Sequence, residues 1–227
     1  MVKRGVLCLL LALAALTAAC SDDEGTGPEE GVARLRVVHA EAELPEIDVV
    51  VDDIEMASDL SFLDASDYLE LEAGSRHVVF LTADSTLDEL QLELAEGVDY
   101  TVFPCCFGFP NSLFLTDDNT ASDEGNAKVR VIHFASAPIL DIYLTAPDAD
   151  LEAEAPTLVA LRRFDASDYL EAPADDYQIR VTPAGSKTVL IDGGTQALGP
   201  GEVRTVVVVD AQGGGEPFSL LVLEDAN

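Results

Sequence analysis

Beyond residue 32 the chain repeats itself in order, and no other feature limits the possible folds so sharply. ARLRVVHA (33–40) returns as AKVRVIHF (127–134) at an offset of 94. IDVVV (47–51) returns as LDIYL (140–144) at an offset of 93, and DASDYLE (64–70) returns at 165–171, an offset of 101. EGVDYTVF (96–103) parallels PGEVRTVV (200–207), and NSLFLTDDN (111–119) parallels FSLLVLEDAN (218–227). The order is kept while the offset drifts through small insertions, and each copy has the length of a compact unit. The division is a leader at 1–19, a tether at 20–32, a first domain at 33–118, a linker at 119–126 and a second domain at 127–227.

Within each copy, short runs of Val, Ile, Leu, Phe and Tyr alternate with polar residues. Gly, Pro, Asp or Asn punctuate them every ~8–12 residues. In RLRVVHA, Arg34 and Arg36 fall on one face and Leu35 and Val37 on the other. The run Val206–Val209 is apolar on both parities, as a central strand would be. Outside the leader no stretch carries a helical period. The pattern predicts an all-β protein of two tandem immunoglobulin-like β-sandwiches.

Three segments of each copy are similar to a bacterial family, domain-of-unknown-function family 4397. They are RVVHA…IDVVVDD…DYLELEAG and RVIHFASAP…LDIYL…DYLEAPADDYQIRVTPAGS. The family pattern runs Val-His-Ala-Ser-Pro, Val-Asp-Val-Tyr-Val-Asp-Gly, then Tyr-Leu-x-Leu-Pro-Ala-Gly. The first copy departs from it at AEAELPE, and the second has TAPDADLEAEAP in place of the glycine turn. The resemblance covers most of 33–227 twice and implies a secreted or lipid-anchored envelope protein with no assigned activity.

The first twenty residues, MVKRGVLCLLLALAALTAAC, combine Lys3 and Arg4, an apolar run and small residues before Cys20. The run is too short to span a bilayer permanently, so it reads as an export signal. Leu-Thr-Ala-Ala-Cys resembles a lipoprotein lipobox, which implies cleavage before Cys20 and lipidation there; an ordinary cleaved signal ending near Ala19 is the plainer alternative. Acyl chains at ~0.8 kcal/mol per buried CH₂ would hold the body on a membrane. Ser21, rather than Asp, after the cysteine favours the outer membrane over the inner if the host has one. The acidic, Gly- and Pro-bearing segment that follows reads as a flexible tether.

Losing residues 1–19 removes two basic residues and no acid, moving the formal charge from −31 to −33. Only Lys128 and Lys187 then remain as lysines. A body so acidic repels phosphate backbones, which argues against nucleic-acid binding. With Cys8 in the leader and Cys20 lipidated, Cys105 and Cys106 remain. Adjacent Cα atoms lie ~3.8 Å apart, below the usual disulfide range, so a bridge between them would be strained. Their segment, PCCFGFP (104–110), puts Phe107 and Phe109 at a loop tip that either meets a partner or folds back on its own core.

His39 and His133 share the parity of core residues at matched strand ends, which predicts buried rings bonded to a neighbouring loop. Asp48 and Asp141 each open the next strand and are the most plausible spatial partners of the histidines. Tyr68 and Tyr169 re-enter a strand after Asp-Ala-Ser-Asp, as in a tyrosine corner. Asp64, Ser66, Asp165 and Ser167 read as turn residues. On that reading Tyr68→Ala destabilises its domain and Ser66→Ala does little. No Gly-x-Ser-x-Gly or Cys-x-x-Cys is present, so no catalytic residue and no cofactor are expected. Asp117, Asp118, Asp123 and Glu124 form the one weak calcium candidate, though their spacing matches no EF-hand. The function expected is a non-catalytic binding or structural module on the membrane surface, with an envelope protein or glycan as possible partner. The alternatives are a carbohydrate-active hydrolase using paired carboxylates and a calcium-rigidified adhesion module.

Overall fold

A computed structural model describes residues 31–105 and 112–225. The leader, Cys20, most of the tether, Cys106, Phe107 and Phe109 lie outside the described residues. Every regular element described is a strand. The first unit contains β1 (Val32–Val37), β2 (Ile47–Val51), β3 (Ile54–Leu60), β4 (Leu69–Glu72), β5 (Gly74–Leu81), β6 (Thr86–Leu94), β7 (Asp99–Phe103) and β8 (Leu113–Asp117). The second contains β9 (Asn126–His133), β10 (Leu140–Thr145), β11 (Leu158–Leu161), β12 (Leu170–Pro173), β13 (Asp175–Pro183), β14 (Ile191–Leu198), β15 (Val203–Val209) and β16 (Ser219–Glu224).

Each unit has two four-stranded sheets of the same order, β4-β1-β7-β8 with β3-β2-β5-β6, and β12-β9-β15-β16 with β11-β10-β13-β14. The all-β, two-sandwich expectation holds. Within it, β1 runs parallel to β7 and β9 parallel to β15, the remaining pairs being antiparallel. Placing the first strand between the fourth and seventh departs from the order of immunoglobulin constant domains.

Alternation along β1 explains how the sheets stack. Leu35 and Val37 enter the first core with Val49, Phe80 and Val102, while Val38 faces away. In the second unit Val129 and Val131 enter the core with Ile142, Val181 and Val206, and Ile132 faces away. The two outward faces meet. Val38, Phe103, Ile132, Phe134, Val207 and Val209 form a third apolar layer between the β1 sheet and the β9 sheet. Phe103 and Phe134 lie 5.6 Å apart there, and Phe164 meets Phe134 edge-on at 5.3 Å. The doubly apolar run Val206–Val209 is accounted for: alternate residues serve a domain core and the layer between domains.

Candidate functional site

The repeated octapeptides, LDASDYLE (63–70) and FDASDYLE (164–171), dock on the ends of β1 and β9. His39 N–H donates to the Asp64 carbonyl at 2.9 Å and receives at its own carbonyl the Leu63 N–H at 2.8 Å. His133 repeats this with Asp165 at 3.0 Å and Phe164 at 2.6 Å. Leu63 and Phe164 adopt left-handed φ values of 76° and 69°. Asp64 and Asp165 close the preceding turns by accepting the N–H groups of Ser61 and Arg162, each at 2.9 Å. Ser66 Oγ accepts the buried Val37 N–H at 2.9 Å and donates to the Asp67 carbonyl at 2.7 Å. Ser167 does the same for Val131 at 3.0 Å. Each serine thus continues the strand ladder with its side chain. Alanine there would leave the strand N–H without this acceptor, which argues against the expectation that removal does little.

The histidines are buried and bonded to a loop. His39 Nε2 lies 2.9 Å from the Pro45 carbonyl and His133 Nε2 3.0 Å from that of Pro138. A carbonyl only accepts, so Nε2 carries the proton in each ring. Asp48 and Asp141 are not their partners. Asp48 accepts the N–H of Asp59, at φ 56°, and Asp141 accepts that of Ala160, at φ 55°. Asp141 also accepts Gly185 N–H at 2.8 Å. Each acid fixes a left-handed residue in the neighbouring strand.

The tyrosines lead into the layer between the sandwiches, where the two copies exchange charges. Arg36 donates from Nη2 to Asp225 of the second unit at 2.6 Å, and Arg130 donates from Nη2 to Asp117 of the first at 2.6 Å. All four side chains are almost fully buried. Thr101 Oγ1 donates to Asp117 at 2.5 Å and Thr205 Oγ1 to Asp225 at 2.7 Å. Tyr68 OH donates to Asp117 at 2.7 Å, and Tyr169 OH reaches Asp225 at 3.4 Å. The guanidinium groups of Arg36 and Arg130 lie 4.8 and 4.7 Å over the rings of Tyr68 and Tyr169. Burial is the largest single influence on Arg36 and opposes its charge, but Asp225, Tyr68 and Asp117 together outweigh it and raise its pKa. Burial also pushes both phenols up, so the tyrosines stay neutral donors. The interface is isologous, each copy giving an arginine and receiving one.

Among comparisons with known proteins, a family model described as a domain of unknown function, DUF4397, matches residues 11–143. The chain belongs to this family. In DUF4397 terms the match runs through the whole first unit and into β10 of the second. Two solved structures also align, both provisionally named cell adhesion proteins. One, from Bacteroides uniformis, is 9% identical, with 87% of this chain and 99% of that chain covered and a TM-score of 0.25. The other, from Bacteroides fragilis, is 10% identical, with 86% and 98% covered and a TM-score of 0.23. No curated protein matches the chain.

For this DUF4397 chain the linker acids separate. Asp117 faces Arg130 and Arg36, and Asp118 pairs with Lys128 Nζ at 2.7 Å. Hydrogen bonds from Lys128 and Thr120 hold the Asp118 carboxyl below its ordinary range. Asp123 and Glu124 sit at the turn before β9, and the described residues contain no group of three or more acidic, His or Cys side chains placed to share a cation. Cys105 is buried beside Glu41, its Sγ 3.9 Å from Oε2. Sequence reasoning missed Arg36, Arg130, Thr101, Thr205 and Asp225. Their signal was present: arginines at matched places two residues before Val38 and Ile132 on the same face, and an aspartate at or directly after the end of the last strand of each unit.

Proposed function

We propose that this protein is a lipid-anchored component of the bacterial cell envelope whose two family domains form one rigid, non-catalytic binding or structural module. The observation that carries the reading is the use made of the repeated signature. His39, Asp48, Ser66 and their counterparts hold backbone, and Tyr68 supports Asp117, the carboxylate that pairs with Arg130 of the other unit. A duplicated active site would instead need a serine beside a general base and an oxyanion pocket. Ser66 and Ser167 are bonded to main chain on both sides. The leader and Cys20 supply the export and anchoring part, with Ser21 favouring the outer membrane. Labelling cells with a fatty-acid analogue tests it: the protein takes up label, and Cys20→Ala abolishes it and releases the protein from the membrane fraction. Label that survives in Cys20→Ala contradicts the anchor.

A further inference from the structure

Strand register aligns the two units residue by residue, and they differ at one end of their cores. Tyr100 opposes Thr116 and Val102 opposes Phe114 in the first unit, where Arg204 opposes Glu224 and Val206 opposes Val222 in the second. Arg76 opposes Leu92 in the first, and Tyr177 opposes Gln196 in the second. Parallel pairing likewise sets Leu35 beside Tyr100 and Val129 beside Arg204. Four core positions held by Leu35, Leu92, Tyr100 and Phe114 are therefore held by Val129, Gln196, Arg204 and Val222.

The consequence is visible in the packing. In the first unit Tyr100 stacks on Phe114 at 5.0 Å and fills the end of the core. In the second, Arg204 turns to Glu202 at 3.1 Å and to Glu224 at 2.5 Å. Behind it lies a half-enclosed cavity of about 240 Å³ walled by Val129, Ile179, Leu198, Val206 and Val222, with Gln196 at its side. An apolar cavity of ~150 Å³ already accommodates benzene.

We propose that this cavity binds a small ring compound carrying an amine, the ring among the valines and the ammonium group at Glu224. Two glutamates and one arginine leave the mouth with a net negative charge. The Glu224 side chain is 82% exposed and pairs through one oxygen with Arg204, so it retains acceptor sites for a further donor. An ammonium group adds to that arrangement, whereas a carboxylate ligand must compete with two glutamates for Arg204 and is repelled by both. A chain of formal charge −31 also concentrates cations near its surface. The inference rests on the binding-module reading only in expecting capture rather than turnover, and it is independent of the lipid anchor.

Titration of the unlipidated two-domain body with benzylamine, followed by methyl NMR and calorimetry, tests it. Benzylamine shifts the methyl signals of Val129, Val206 and Val222 and binds more tightly than benzoate. The double change Val222→Phe and Gln196→Leu, which copies two of those four positions of the first unit, folds and weakens binding roughly tenfold or more. Glu224→Gln, at an exposed site, keeps the fold and weakens binding about threefold. If the doubly filled variant does not fold, Glu224→Gln decides. No shift at ~10 mM benzylamine, about ten times a ~1 mM Kd, overturns the site. So does equal binding by a folded, filled variant. Benzoate binding as tightly, or Glu224→Gln without effect, overturns the amine assignment.

Discussion

At the scale of single residues, the repeated Asp-Ala-Ser-Asp-Tyr segment owes its sequence to main-chain hydrogen bonds. Ser66 and Ser167 each satisfy a buried strand N–H, so alanine leaves that donor unpaired. We expect Ser66→Ala and Ser167→Ala each to lower stability by about 1–2 kcal/mol in urea denaturation. His133 adds a pH dependence. Burial depresses its pKa from the ordinary 6.5, against a weaker opposing effect of the Pro138 carbonyl. A base with a depressed folded pKa binds fewer protons folded than unfolded, so its contribution is complete above pH 6.5 and is lost as pH falls toward the folded value. Stability measured between pH 7 and pH 5 should decline, and His133→Gln should flatten that slope.

At the scale of elements, the strands and their alternation were legible from the sequence, because period-2 patterning reports burial directly. Leu35, Val37, Val129 and Val131 lie in the cores that the pattern assigned them. The destination of the opposite face was not legible. Arginine is a residue type seldom buried, and only the stacking of two sheets buries Arg36 and Arg130. The aspartates after the His strands were read as histidine partners because they are near in sequence, whereas the hairpin geometry turns them toward the left-handed residues of the adjoining strand. Turn chemistry gives a separate test. Asp52 and Asp53 link β2 to β3 with φ values of 48° and 66°, as a two-residue type I′ turn requires. Glycine has no steric penalty at such a position. Asp53→Gly should therefore raise stability by about 0.5–1 kcal/mol, read as a higher urea midpoint at unchanged slope.

At the scale of the whole molecule, four sheets enclose three apolar layers, and the middle layer joins the two copies. Removing one member of its buried charge pairs strands the other. Arg130→Ala leaves Asp117 facing Arg36 alone across 4.0 Å and should cost about 3–5 kcal/mol by urea denaturation. The shared layer makes the two units one body, and scanning calorimetry of the unlipidated two-domain body tests this. We expect one transition whose calorimetric and van't Hoff enthalpies agree. Two resolved transitions, each with the enthalpy of a single domain, would contradict it.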